Sequence, residues 1–220
     1  RRKKSGCDLV VVVSAMGKTT DGLYGLAHEI TPAPPKRELD MLLSAGERIS
    51  MSLLSMALHH LGDGAISFTG SQSGIVTDSE HTQAKILTIK SDRIRESLSQ
   101  KKTVIVAGFQ GVSVDREVTT LGRGGSDVTA VALAIALKAD RCEFYKDVDG
   151  VYTRDPKRHP EARKLHSCTY SDLLASMDQG MTVLHPDAIH LAKNFSMPLY
   201  VASTFCDETG TLIQQAPIYG

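Results

Sequence analysis

Leu9-Val10-Val11-Val12-Val13 has no polar face. A short run of β-branched residues that is apolar at every position reads as a strand covered on both sides, not as one half-exposed to water. Thr103–Ala107 is a second such run, and Ala65–Thr69 and Cys142–Tyr145 are strand-like. Segments with helical spacing lie between them. Thr20-Asp21 can cap a helix running to Ile30, and Thr31-Pro32-Ala33-Pro34-Pro35 breaks it. From Glu38 to Leu61 apolar residues recur at Leu39, Leu42, Leu43, Ile49, Leu53 and Ala57, which predicts one long helix stopped at Gly62. Ala84–Ile89 alternates like a half-exposed strand, and Ser91–Gln100 forms a polar amphipathic helix. Asp127–Ala139 is an apolar, buried helix. Helices over Ser171–Gln179 and Asp187–Asn194 and a strand at Leu199–Ala202 complete the pattern. Apolar strands alternating with helices specify an α/β fold with a mainly parallel sheet.

Composition narrows the function. The 25 Lys and Arg residues balance 25 Asp and Glu, so no global field draws the chain to nucleic acid or to a membrane surface. There is no Trp and only 5% of residues are aromatic, which disfavours a base-stacking platform. No apolar run approaches the roughly 20 residues of a membrane span. Cys7, Cys142, Cys168 and Cys206 form no Cys-x-x-Cys pair, so they read as buried or half-buried free thiols in a reducing, cytoplasmic setting. The chain opens Arg1-Arg2-Lys3-Lys4 with no signal-peptide pattern, which reads as a start inside a fold. No repeat or linker divides the 220 residues, and a single domain is expected.

Two phosphate-binding patterns fail on inspection. Gly17-Lys18-Thr19 would need a glycine where Val12 stands to make a P-loop. Gly122-Arg123-Gly124 would need its third glycine where Asp127 stands to make a dinucleotide fingerprint.

Thr119-Thr120-Leu121-Gly122-Arg123-Gly124-Gly125-Ser126-Asp127 is the most informative stretch. Its glycines allow close approach to a ligand, its amides lead into a helix N-terminus, and Arg123 can grip a carboxylate through two nitrogens. The plainer reading is a glycine turn with a Ser/Asp N-cap, although such a turn has no need of the cation. Glu47 sits at the edge of the helical stripe, either paired with Arg37 or Arg48 or left to meet a substrate ammonium. Tyr145-Lys146-Asp147-Val148-Asp149-Gly150-Val151-Tyr152 ends a strand in acids and a glycine, where open α/β sheets gather ligands. His59, His60 and His185 lie at helix ends without metal-ligand spacing and read as structural.

Together these stretches resemble the aspartate kinases of the amino acid kinase superfamily. The matching pieces are Val11–Asp21, Arg37–Glu47 (RELDMLLSAGE), Thr69-Gly70 with Gln72 and Gly74, and Val106–Gly111. They continue through Thr119–Ala130 (TTLGRGGSDVTA), Asp147–Thr153 with Asp155-Pro156, Val183–Pro186 and Gly210–Ile213. The resemblance implies a three-layer α/β/α sandwich around a mainly parallel sheet of eight strands. It implies transfer of the ATP γ-phosphoryl group to the side-chain carboxylate of L-aspartate, with magnesium carried by the nucleotide. That reaction opens the route to lysine, threonine, methionine and diaminopimelate.

By the same resemblance Arg123 holds the substrate α-carboxylate, and Glu47 and Asp127 meet its ammonium or order the site, Asp127 as the catalytic position. Thr20, Phe109, Gly124, Gly125 and Ser126 complete the aspartate pocket. Lys146, Asp147, Tyr152, Lys157, Thr182 and Val183 line the nucleotide site. The chain differs from the family's common pattern at Ser71, Lys146 and Thr182. The family's Lys-x-Gly-Gly-Thr phosphate loop has no counterpart in these residues, so the chain is expected to be a catalytic domain recorded without that first strand and without the ACT domains. A homodimer, with no nucleic-acid or membrane partner, is expected. A binding subunit without catalysis, or another amino acid kinase, is the alternative.

Overall fold

The computed structural model describes residues 6–156, 158–177 and 183–216. The chain folds as two compact units, Arg1–Leu133 and Ala134–Gly220. In chain order the first unit carries β1 (Val10–Val13), α1 (Thr19–Ile30), α2 (Lys36–Leu43), α3 (Ala45–His60), β2 (Ala65–Phe68), β3 (Ile75–Thr77) and β4 (Ile86–Ile89). It continues with α4 (Asp92–Ser99), β5 (Thr103–Ala107), β6 (Gln110–Ser113), β7 (Val118–Thr120) and most of α5 (Gly125–Leu137). The second unit carries β8 (Cys142–Lys146), β9 (Ser167–Thr169), α6 (Tyr170–Met177), α7 (Pro186–Asn194), β10 (Leu199–Ser203) and β11 (Thr211–Gln214).

In the first unit β1, β5 and β2 form a parallel sheet in the order β1-β5-β2. The central strand β5 is buried at all five positions, as its apolar sequence requires, while β1 at the edge is half-buried. α3 packs on β2 and β5, and Met51, Ala65, Ile105 and Ala107 make a core flanked by Val13, Leu54 and Leu58. A second sheet, β4-β3-β6-β7, is mixed: β3 and β6 run parallel, and both outer pairs are antiparallel. The second unit has the sheet β8-β10-β11-β9, parallel except between β10 and β11. The α/β class with parallel sheets flanked by helices is as the sequence indicates. The hydrogen-bonded ladders among the described residues form three sheets, however, not one sheet of eight strands.

Two local expectations change. The long helix over Glu38–Leu61 is two helices, α2 and α3, broken at Ser44. The buried Gln110 side chain donates from Nε2 to the Ser44 carbonyl at 2.9 Å, satisfying an acceptor at the break. The break also resets the phase of the buried face. α3 turns Gly46, Glu47, Ser50 and Met51 inward, whereas Ile49, Leu53 and Met56 are about half-exposed or more. The second change concerns the thiols. Cys142 and Cys168 are buried as expected, but Cys7, in the turn before β1, and Cys206, in the loop after β10, are exposed. Burial, with the Asp172 carboxylate nearby, pushes the Cys168 thiol up to about 12. Mass-mapped alkylation of the native protein at pH 8 should label Cys7 and Cys206 and spare Cys142 and Cys168 until denaturant is added. Fast labelling of Cys168 in native protein would contradict its position on β9.

Candidate active site

The acceptor side of the candidate site is built at the carboxyl ends of the neighbouring strands β1 and β5, where parallel α/β sheets gather ligands. Val12 is paired with Val106 inside β1, so its amide belongs to the sheet and cannot curl around a phosphate. The turn after β1 bends through Ala15, whose N–H donates to Glu47 Oε1 at 3.0 Å. Glu47 is 3% exposed, and its Oε2 has no hydrogen-bond partner among the described residues. Burial raises its carboxyl above the usual carboxylate range, and the Ala15 hydrogen bond offsets only part of that. The pairing with Arg37 or Arg48 that the sequence allowed is not made: Arg37 binds Glu117 and Glu38, and Arg48 reaches Gln110. Thr20 lies in the first turn of α1 and faces the start of α3: its Oγ1 is 3.8 Å from where a β-carbon on Gly46 would stand.

The turn after β5 brings in Phe109, held at φ +68°. A non-glycine residue adopts that left-handed geometry only when its surroundings fix it. Here its N–H donates to Thr129 Oγ1 at 3.1 Å and its carbonyl accepts from the Leu121 N–H at 2.9 Å. Two glycines permit close contact around it. A β-carbon on Gly108 would stand 2.8 Å from Ser126 Oγ, and one on Gly125 would stand 2.9 Å from the Phe109 ring. The structure therefore brings Phe109, Gly125 and Ser126 together at the N-terminus of α5.

Gly122 and Gly124 flank Arg123 at φ +75° and +71°, conformations that suit glycine. Arg123 is exposed and makes no hydrogen bond or ion pair among the described residues. α5 begins at Gly125, two residues before the expected start, so Ser126 and Asp127 lie inside its first turn instead of capping it. Asp127 there meets the positive end of the helix.

Sequence reasoning passed over Asp40. It is fully buried on α2, and its carboxylate accepts from Thr120 Oγ1, from the Thr82 N–H and from His81 Nδ1. It lies inside the RELDMLLSAGE stretch, yet an Asp in a short helix that opens Lys-Arg-Glu gives no sign of burial.

In the second unit Lys146 closes β8 opposite Ser203 of β10, and Asp147 just after it is exposed. The Tyr152 hydroxyl donates to Asp149 at 3.1 Å. Lys164 Nζ lies 3.0 Å from Asp149 and 3.4 Å from Glu208. Burial raises the Asp149 carboxyl, but hydrogen bonds from Lys164 and Tyr152 bring it below its ordinary value overall. Lys164, which pairs with Tyr152 in an isolated β-bridge, and Glu208 were not singled out in the sequence, because nothing local marks either. Val183 lies in the bend before the buried Leu184. His185 is the N-cap of α7, accepting from the Asp187 N–H at 3.4 Å, in the structural role expected of it. Lys157 and Thr182 lie outside the described residues. No group of three or more metal-ligating side chains occurs among the described residues.

Residues 1–203 match the model of the amino acid kinase family. An aspartokinase of Bacillus sp. (strain MGA3) is 53% identical over 213 residues, covering 97% of this chain and 52% of that protein. The chain thus spans about half the length of the curated relatives it matches. The crystal structure of aspartate kinase from Synechocystis superposes with a TM-score of 0.86 at 45% identity, over 100% of this chain and 36% of that one. E. coli aspartokinase III, crystallised with aspartate and ADP, gives 0.77 at 28% identity, over 90% of this chain and 45% of that one.

Proposed function

The chain belongs to the amino acid kinase family, and from that premise we propose that it is the catalytic part of an aspartate kinase. The reaction moves the γ-phosphoryl group of ATP to the side-chain carboxylate of L-aspartate, giving 4-phospho-L-aspartate and ADP, the opening step toward lysine, threonine, methionine and diaminopimelate. One observation carries the reading. Among the described residues, a single unit offers a buried carboxylate oxygen with no hydrogen-bond partner, on Glu47, and a guanidinium with no hydrogen bond or ion pair on a glycine loop, at Arg123. Those are the two receptors an amino acid zwitterion requires.

A carboxylate acceptor is already a nucleophile and needs no general base, so catalysis rests on alignment and on placed positive charge. Arg123 and the α5 amides hold the α-carboxylate. Glu47 takes the ammonium, and Asp127, Thr20, Ser126 and Phe109 set the direction of the side chain. Bound ATP, with its magnesium ion, supplies the phosphoryl group. Lys146 at the carboxyl end of β8 suits a nucleotide phosphate, and the family resemblance gives Asp147, Val183, Lys157 and Thr182 to the same nucleotide. Because the Tyr152 hydroxyl serves Asp149, that residue offers its ring face instead.

The test is ADP release with L-aspartate, with the acyl phosphate trapped by hydroxylamine. Turnover on another amino acid or on a nucleotide, but not on aspartate, overturns the substrate. Aspartate or ATP binding without turnover favours the non-catalytic binding role. A cytoplasmic homodimer goes with the proposal, and the exposed Ile49, Leu53 and Met56 stripe on α3 is an apolar surface for the second copy to cover. Among the described residues no helix is long and apolar enough to cross a membrane.

Glu47→Gln separates stability from binding. The glutamine keeps an acceptor for the Ala15 N–H but removes the charge. Because folding raises the Glu47 carboxyl above its ordinary 4.5, the wild-type protein loses stability as pH climbs from there through the raised value. The variant lacks that loss, so its thermal advantage should grow over this window and then level off. Its KM for L-aspartate should rise about 3–10-fold, the effect of one weakened charge-assisted contact. A variant less stable than wild type at pH 8 would contradict the buried, unpaired carboxylate.

A further inference from the structure

The Asp40 carboxylate is buried and touches no part of the acceptor site directly, yet its partners converge on one loop. Thr120, the last residue of β7, donates to Oδ1 at 2.5 Å. The Thr82 N–H lies 3.1 Å from both oxygens, and His81 Nδ1 is 2.7 Å from Oδ2. Thr82 is itself in the left-handed region, at φ +72°. Its carbonyl backs Gly122 so closely that a β-carbon there would stand 3.2 Å from that oxygen. The Thr120 carbonyl also accepts from the Ala84 N–H at 2.9 Å, tying β7 to the same 81–84 segment. One carboxylate therefore fixes both the strand that leads into the Gly122-Arg123-Gly124 loop and the segment behind it.

We propose that Asp40 is a positioning residue for the acceptor subsite: through Thr120 and Thr82 it sets where the Arg123 guanidinium stands, without contacting substrate. The proposal rests on Arg123 being the clamp for the acceptor's α-carboxylate. Around Gly122 the loop's own backbone bonds run from the Leu121 N–H to the Phe109 carbonyl, from the Gly125 N–H to the Gly122 carbonyl and from the Val128 N–H to the Gly124 carbonyl. None of these fixes the side from which Arg123 approaches. The Asp40 cluster supplies that constraint.

Thr120→Val tests it, because valine keeps the shape of threonine and removes only the hydroxyl donated to Asp40. The KM for L-aspartate should rise about 5–10-fold, less than a hydrogen bond to a charged group carries in full because the effect reaches Arg123 indirectly, while the KM for ATP stays the same. Thr120→Ser, which keeps the hydroxyl, should restore it. Hydrogen exchange read by mass spectrometry gives a second measure that needs no turnover: amides 121–125 should exchange faster in Thr120→Val, with no change in β8 and β10. A purely structural role would instead lower the melting temperature with both KM values moving together, or leave exchange at 121–125 unchanged; either result overturns the proposal. If L-aspartate fails to protect 121–125 in the wild-type protein, the clamp reading falls and this proposal with it. Unchanged exchange in the variant, with wild-type protection intact, sinks the positioning role alone.

Discussion

If the proposed aspartate kinase function holds, Arg123→Ala should raise the KM for L-aspartate by about 10–100-fold and leave the KM for ATP within about twofold. The estimate follows from the roughly 1.5–3 kcal/mol carried by a charge-assisted, two-point contact to a carboxylate. The structure makes this a clean experiment. Arg123 is exposed between two glycines at positive φ and makes no hydrogen bond or ion pair among the described residues, so the melting temperature should not move. Arg123→Lys should recover only part of the loss, because an ammonium is a point charge without the planar fork. Equal increases in both KM values would remove the carboxylate role. A fall in melting temperature would show that the loop itself had been disturbed.

The sequence and the structure agree most closely where burial is total. Thr103–Ala107 is apolar at every position but its first and becomes the buried centre of a parallel sheet. Arg123 stood out because a cation among glycines serves no turn, and in the structure it is exposed, with no hydrogen bond or ion pair among the described residues. The elements that were not legible are those whose form is set by a partner. β3, β6, β7 and β9 are three or four residues long and carry Thr, Ser, Gln or Gly, so no run of hydrophobicity marks them. They become strands because neighbours pair with them. The break at Ser44 was hidden for a related reason. Its carbonyl is satisfied by Gln110, a residue 66 positions away, and no local breaker announces it. With the break unseen, one apolar stripe was carried through both helices, whereas Ile49 and Leu53 are about half-exposed in the structure. Asp40 was missed because its partners, at positions 81, 82 and 120, are distant in sequence and ordinary in type. The bond from the Tyr152 hydroxyl to Asp149 was not legible either, since no local pattern marks it.

Asp40→Ala should be the most destabilising single polar substitution in the first unit. The side chain is 0% exposed and accepts from a hydroxyl, a backbone N–H and an imidazole. Its removal leaves Thr120 Oγ1, itself within a site 1% exposed, and the Thr82 N–H without an acceptor. Deleting one member of a buried charged cluster costs about 3–5 kcal/mol, because the remaining partners stay desolvated. For a domain of this size that corresponds to a fall in melting temperature of roughly 6–20 °C. Asp40→Asn should cost less, since the amide oxygen still accepts one bond while its NH2 group faces a donor. The ordering is the sharp part of the expectation. Alanine should be worse than asparagine, and both worse than alanine at Asp115, an exposed acid whose carboxylate receives only the Ser79 hydroxyl. Calorimetry of the three variants at one pH decides it. An Asp40→Ala protein that melts within about 2 °C of wild type would mean that water replaces the lost acceptor, and that the cluster is open where the structure has it closed.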